Sequence, residues 1–242
     1  MGMNTHVRAL PILAAAGLLM IAPSAWAVTF NFAAFGNGEA LPGGYTASAS
    51  PQEGGFSTFW MDYNGLKVTA TASNIPQGAN PTPEPAYVYL DAKSGGQYGG
   101  MGACLTLIGN VEGGDCTPSS DDNVSKHGNN REMLVLTFSE PVVLNLVTFR
   151  DGDHDASYGN GDKFDFGVDG GSLVTTNFPN DGVWMPVSVS GTTFAFKYFN
   201  EEFYISTIDV TPQRPPVPEP ATLGLLGAGL LGLVGRARRR RS

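Results

Sequence analysis

Basic side chains are scarce over most of this chain. Residues 28–213 contain seven Lys and Arg against 21 Asp and Glu, a formal charge of −14. The full-length value of −8 is smaller because the other basic residues are concentrated near the two termini. Nucleic-acid binding needs a basic surface that follows the phosphate backbone. The composition therefore excludes nucleic acid as a partner and favours a soluble body that attracts cations.

Catalytic motifs are also missing. The sequence contains no G-x-S-x-G, H-E-x-x-H or phosphate-binding-loop pattern. Within residues 28–213 the histidines are His127 and His154, and acidic residues are so numerous that no pair stands out for glycoside hydrolysis. We therefore predict that the protein is not an enzyme. A secreted hydrolase that acts on matrix glycans is the alternative.

Cysteine is rare, with Cys104 and Cys116 as the two examples. The segment between them is rich in glycine, so the chain can turn back on itself there. An even number of cysteines in an exported protein predicts a disulfide. The alternative is a metal-binding pair, but no nearby His or Cys completes such a site.

Helical periodicity is absent from the body of the chain, where apolar and polar residues alternate instead. This alternation, with many β-branched and aromatic residues, predicts strands. The predicted strands are Leu66–Ser73, Glu132–Ser139, Val142–Arg150, Lys163–Val168, Thr192–Phe199 and Glu202–Val210. Short Gly, Asn and Asp clusters separate them, which is typical of an all-β sandwich or barrel. We expect one such domain over residues 28–213.

The first 27 residues have the three parts of a secretory signal peptide. A short start with one basic residue is followed by an apolar run over residues 9–22, and then by small residues at Ala25 and Ala27. The apolar run is shorter than the about 20 residues that a transmembrane helix needs. We predict cleavage after Ala27, with an uncleaved N-terminal anchor as the alternative.

The last residues form a second three-part signal. Val217, Pro218, Glu219 and Pro220 are followed by an apolar span over residues 221–235 and an arginine cluster over residues 236–241. The prolines hold the motif extended. The apolar span, as a helix of about 22 Å, is shorter than the ~30 Å hydrocarbon core. The arginines resist translocation, so we expect transient anchoring in the inner membrane.

This terminal arrangement resembles the PEP-CTERM protein-sorting signal. The resemblance implies a sorting signal over residues 214–242, with residues 217–220 recognised by an exosortase-type enzyme. It also implies delivery to the cell surface or extracellular matrix of a Gram-negative bacterium, in association with exopolysaccharide. An ordinary C-terminal membrane anchor is the alternative.

The body has a resemblance of its own. The segments Cys104–Asn123, Glu132–Phe138 and Phe149–His154 are similar to parts of the bodies of other PEP-CTERM proteins. That resemblance implies a single jelly-roll-like antiparallel β-sandwich, flanked by the signal peptide and a C-terminal sorting helix. It implies a fold and not an activity.

An acidic run follows the predicted strand Val142–Arg150. Asp151, Asp153 and Asp155 alternate, and Asp162 stands 11 residues after Asp151, which matches the ligand spacing of a calcium loop. Position six is Ala156 and not glycine, so the run is not an EF-hand. Further oxygens could come from three residues earlier in the chain: Asp121, Asp122 and Asn123. The sequence predicts structural calcium here, and a solvated acidic turn is the alternative.

Aromatic side chains offer a second kind of site, because their faces can stack on sugar rings. The candidates are Trp60, Tyr63, Tyr87, Tyr89, Tyr98, Tyr158 and Trp184. Core packing is the interpretation we favour for these residues, with Tyr158 the one expected to be exposed because it lies inside the acidic run. Taken together, these features predict a non-catalytic surface or matrix protein that associates with extracellular polysaccharide.

Overall fold

The computed structural model describes residues 26–78 and 82–213. Most of the predicted signal peptide, including Ala25, lies outside the described residues, as does the whole predicted sorting signal over residues 214–242. Ala27 is described and is exposed, immediately before the first strand. In the described part of the chain, no helix has the length and apolar character needed to cross a membrane.

The described residues form fourteen strands and two very short helices. The strands are β1 (Val28–Asn31), β2 (Tyr45–Ala47), β3 (Gly54–Phe56), β4 (Phe59–Tyr63), β5 (Leu66–Pro76), β6 (Glu84–Leu90), β7 (Met101–Cys104), β8 (Lys126–His127), β9 (Asn130–Arg150), β10 (Lys163–Val168), β11 (Val174–Asn177), β12 (Val183–Trp184), β13 (Ser190–Tyr198) and β14 (Tyr204–Pro212). The helices are α1 (Phe32–Gly36) and a single 3₁₀ turn (Ile108–Asn110). The strands pair antiparallel throughout the described residues, which confirms the predicted all-β class.

Strand β9 organises the fold because it changes partners along its length. Residues 130–138 pair with β5, and residues 133–137 also pair with β13. Beyond Pro141, residues 142–150 pair with β14. The pairings then run from β14 through β7, β6 and β5 back to β9, which closes a circuit. This closure agrees with a sandwich-like or barrel-like body, and the jelly-roll topology stays a prediction.

The core is an apolar cluster rich in phenylalanine. Phe149 is fully buried, and five other aromatic rings lie within 6.5 Å of its own. These are the rings of Phe164, Phe178, Trp184, Phe196 and Phe203. Burial of each phenylalanine is worth about 1.5–3 kcal/mol relative to exposure, so this cluster is a main source of stability. Leu134, Leu136 and Phe138 are buried together, as the alternation in Glu132–Ser139 predicts.

Helix α1 was not predicted from the sequence. Asn31 caps it, because its side-chain oxygen accepts a hydrogen bond from the backbone N–H of Ala34 at 2.9 Å. Phe32 and Phe35 are both buried in the main core. With five residues the helix is too short to establish a 3.6-residue period in the sequence.

Cys104 and Cys116 form a disulfide with their Cα atoms 5.9 Å apart. Both cysteines are buried with Tyr89 and Leu107 in a small apolar cluster, apart from the main core. Closing a loop of this size is worth about 3 kcal/mol in the chain-entropy model. The bridge therefore holds the loop that leads into residues 119–123.

An acidic pocket at one end of the sheet

Several chain segments converge at one end of the sheet. Residues 91–94 follow β6, residues 151–154 follow β9, and residues 201–203 precede β14. Residues 119–123 join them because Val124 forms an isolated bridge with Phe203. The antiparallel pairing of Tyr204 with Arg150 aligns the start of β14 with the end of β9. Polar residues from distant parts of the chain therefore meet at this end.

These segments surround a pocket of about 760 Å³, here called the acidic pocket. Seven carboxylic acids line it, against two basic side chains, Lys93 and His154. The acids are Glu53, Asp91, Asp122, Asp151, Asp153, Glu201 and Glu202. With all nine groups charged, the formal charge is −5. Such a pocket attracts cations and donors of hydrogen bonds.

His154 lines the pocket and is positioned by the turn over residues 151–155. The Asp151 carboxylate accepts hydrogen bonds from the backbone N–H groups of Asp153 at 3.0 Å and Asp155 at 2.8 Å. The turn places His154 in the left-handed region, with φ of 69°, and buries its ring. Its Nε2 lies 2.6 Å from Asp91 Oδ2, and its Nδ1 lies 3.4 Å from the Gln97 carbonyl oxygen. The close contact with the Asp91 carboxylate raises the pKa of His154, although burial opposes the rise.

Tyr204 connects this pair to a half-buried carboxyl group, Asp122. Its hydroxyl donates to Asp122 Oδ1 at 2.6 Å, and its ring meets the His154 ring edge-on with centroids 5.1 Å apart. Burial raises the pKa of Asp122 to about 6, although the hydrogen bond from Tyr204 acts in the opposite direction. The protonation of Asp122 therefore changes close to neutral pH.

Glu132 of β9 is a fully buried acid that does not line the pocket. Its Oε2 accepts from the backbone N–H of Ser125 at 2.9 Å and from the Ser125 hydroxyl at 3.1 Å. Its Oε1 is buried with no hydrogen-bond partner among the described residues. Burial, and then the charge of Asp121, raise the pKa of Glu132 to about 8, so its neutral form dominates at pH 7.

The predicted calcium ligands are only partly brought together. Asp151, Asp153, Asp122 and Asn123 line the acidic pocket. The remaining three do not line it: Asp155 is exposed, Asp162 accepts from the Gly159 backbone N–H at 2.6 Å, and Asp121 lies 3.4 Å from His127 Nδ1. Within residues 26–78 and 82–213, no three His, Cys, Asp or Glu side chains are arranged to hold a metal ion. Calcium binding stays a prediction.

Sequence reasoning missed several pocket residues. Glu53 and Asp91 gave no local signal because neither has another acid beside it, and Glu201 and Glu202 are one adjacent pair without the alternate spacing of metal ligands. Their role depends on β3, β6 and β14 meeting near the end of β9, and no spacing in the sequence reports that.

The aromatic candidates mostly serve packing. Tyr158 is 6% exposed and stacks on Phe178 with centroids 4.2 Å apart, so the expectation that it is exposed was wrong. The chain folds inward at Tyr158 because Phe178 and its neighbours offer an apolar surface. Trp184 packs on Phe166 at 4.8 Å. Tyr98 is exposed, beneath the Lys93 ammonium at 5.4 Å from the ring centroid.

Comparison with known proteins adds one finding, at the C-terminus. Residues 216–240 match the family model described as the PEP-CTERM protein-sorting motif. No curated protein and no solved structure matches the chain. The matched segment contains the motif at residues 217–220 and most of the arginine cluster. The chain therefore carries a PEP-CTERM protein-sorting motif, which marks it as a secreted protein that an exosortase-type enzyme sorts, with the cell surface as its destination.

Proposed function

We propose that this protein is a non-catalytic surface or matrix protein of a Gram-negative bacterium, and that it binds extracellular polysaccharide in the acidic pocket. The observation that carries the proposal is the pocket itself, a depression of about 760 Å³ lined by carboxylates. Ligand pockets in proteins commonly measure about 300–1,000 Å³, so a few sugar rings fit. Sugar hydroxyl groups donate to carboxylates, and such charge-assisted hydrogen bonds are stronger than neutral ones.

The position of the pocket also supports display on a surface. The sorting tail continues from Gln213, just past the carboxyl end of β14, whereas Tyr204 at the amino end lines the pocket. The nine residues of β14 separate these points by about 30 Å, at 3.3 Å per residue. The chain therefore leaves the described body at the end of β14 that does not line the pocket.

The arrangement of His154 supports a binding role over a catalytic one. Both of its ring nitrogens face protein acceptors, Asp91 and the Gln97 carbonyl. A general base needs a nitrogen within hydrogen-bond reach of the substrate. His154 is therefore placed to hold Asp91 and not to take a proton from a substrate.

A secreted glycan hydrolase is the second candidate, and Asp122 is the observation that favours it. A carboxyl group with a pKa of about 6 in a pocket can act as a general acid near neutral pH. Incubating the protein with exopolysaccharide and measuring new reducing ends separates the two functions. We expect no release above a no-protein blank. If wild type released reducing ends and Asp122→Asn did not, hydrolysis would replace binding as the proposed function.

A steric test addresses binding directly. Ser120 is exposed and lines the pocket, so Ser120→Trp should fill part of it without changing any charge. Ser172 is exposed in the turn between β10 and β11 and serves as the matched control, Ser172→Trp. We expect immobilised exopolysaccharide from the native host to retain wild type and Ser172→Trp, and to lose Ser120→Trp. Equal retention of all three, or of none, would contradict the proposal.

A further inference from the structure

We propose that the acidic pocket selects a polysaccharide that bears free amino groups, such as one whose hexosamine units are partly without N-acetyl groups. This inference deepens the proposed polysaccharide binding and depends on it. An ammonium group on a sugar ring is both a cation and a donor of three hydrogen bonds. The charge, the donor–acceptor balance and the construction of the pocket each favour this ligand class.

The charge of the pocket discriminates between classes of polysaccharide. Seven carboxylic acids face two basic side chains in one concave surface. A polysaccharide rich in uronic acids would bring like charges together, which is unfavourable. A neutral polysaccharide would leave the carboxylate charges uncompensated. Ammonium groups would compensate them and be steered into the pocket at low ionic strength.

The hydrogen-bond balance points in the same direction. Carboxylates only accept hydrogen bonds when ionised, and the Tyr204 hydroxyl already donates to Asp122. Asn123 lines the pocket and is 4% exposed, and its Nδ2 donates to Glu202 at 3.3 Å. Asn123 Oδ1 has no hydrogen-bond partner among the described residues. A buried acceptor without a donor is costly, so a donor-rich ligand would satisfy it.

The acidic groups are held in place by the fold. His154 fixes Asp91, Tyr204 fixes Asp122, and Asn123 contacts Glu202. Glycine is needed beside Asp91. A Cβ atom at Gly99 would lie 2.5 Å from Asp91 Oδ2 and 2.9 Å from the Ala92 carbonyl oxygen. The pocket is therefore a preorganised set of acceptors, which lowers the entropic cost of binding.

The test compares two sugars that differ only in the amino group. Glucosamine oligomers and N-acetylglucosamine oligomers of the same length and linkage are titrated into the full chain by calorimetry. We expect a dissociation constant about tenfold or more lower for the amine form, with a preference that weakens as salt screens the charges. The double variant Asp153→Asn/Glu202→Gln, at two exposed pocket acids, should lose most of this preference. Glu84→Gln, an exposed acid outside the pocket, should keep it.

The outcomes separate this inference from the proposed function. Equal affinity for the two oligomers, with Ser120→Trp still abolishing retention on exopolysaccharide, would overturn amine selection and leave polysaccharide binding standing. An amine preference that survives in Asp153→Asn/Glu202→Gln would overturn the pocket as its source. If the wild-type protein bound neither oligomer and was not retained on exopolysaccharide, both amine selection and polysaccharide binding would be overturned. Calcium alone binding in the pocket, without binding of the amine oligomer, would also overturn the inference.

Discussion

The two ends of β14 lie in different environments. Toward its carboxyl end, Ile208 and Val210 are fully buried and pair with β1 in the apolar core. At its amino end, Tyr204 is equally buried, but it is held by a hydrogen bond to Asp122 and by contact with His154. The stability of the apolar end depends on how much apolar surface is removed from water, and any well-packed apolar side chain can supply that surface. The polar end depends on particular partners, because a buried polar group that loses its partner is costly.

The largest effect is expected in the apolar region, at Phe149. Phe149→Ala should lower the free energy of unfolding by about 3–5 kcal/mol, because it leaves a cavity among five aromatic rings. Urea unfolding measures this change. Val187 is 89% exposed, so Val187→Ala serves as the control and should change stability by less than about 0.5 kcal/mol. A loss below about 1 kcal/mol for Phe149→Ala would show that the core is not the main source of stability.

The next effect tests the polar region through pH. The pKa of Glu132 is about 8 in the fold and about 4.5 when unperturbed, so the folded state binds the proton more tightly. The proton on Glu132 makes its full contribution to the free energy of unfolding below pH 4.5. That contribution is lost as the pH rises toward 8. Glu132→Gln imitates the neutral form and should lack this loss. At pH 8 the variant should therefore be more stable than wild type, on the order of 4 kcal/mol, because each tenfold change in acid dissociation is about 1.4 kcal/mol.

Unfolding measured from pH 5 to pH 8 checks the Glu132 prediction. The difference between variant and wild type should be small at pH 5 and should grow with pH. Other buried acids contribute to the slope of both proteins, so the difference between them isolates Glu132. A difference that stays constant with pH would mean that Glu132 ionises at an ordinary pKa.

A smaller loss is expected at the amino end of β14. Tyr204→Phe removes the hydroxyl that donates to Asp122 and should destabilise the fold by about 1–3 kcal/mol. The pKa of Asp122 should also rise, because the hydrogen bond from Tyr204 lowers it. Tyr198 is half-buried and its hydroxyl makes no hydrogen bond to the residues that the structure describes, so Tyr198→Phe is the matched control. Equal losses in the two variants would remove the distinction between the polar and apolar ends.

The smallest effect is expected from calcium. The sequence predicts a calcium loop, but two backbone amides already satisfy Asp151 and no three acids are gathered around one point in the described residues. Millimolar calcium should therefore raise stability by no more than about 1 kcal/mol. Thermal unfolding of wild type and Asp153→Ala, with calcium and with magnesium, measures it. A larger rise in wild type alone, specific for calcium, would show that the turn rearranges around the ion.

Local pattern was enough to predict five of the fourteen strands, namely β5, β9, β10, β13 and β14, and it missed the other nine. Lys163–Val168 forms a strand with the predicted ends, because its alternation sets one face against the core. Glu132–Ser139 and Val142–Arg150 were expected as two strands, and the structure joins them in β9. Pro141 has no N–H to donate, and β9 exchanges its partners there without ending. Helix α1 was not predicted because a cap and tertiary packing hold it, and it has no periodic pattern of apolar residues.

The sequence by itself determined the class of fold, the acidity of the body and the sorting motif. Each of these depends on composition or on residues close together in the chain. Only the tertiary structure decided which of the many acids act together. Asp91, Asp122, His154 and Tyr204 come from distant segments, and their hydrogen bonds exist only because antiparallel pairing aligns β6, β7, β9 and β14 at one end. Carboxylates interact over a few ångströms, and the pairing of distant strands alone brings them that close.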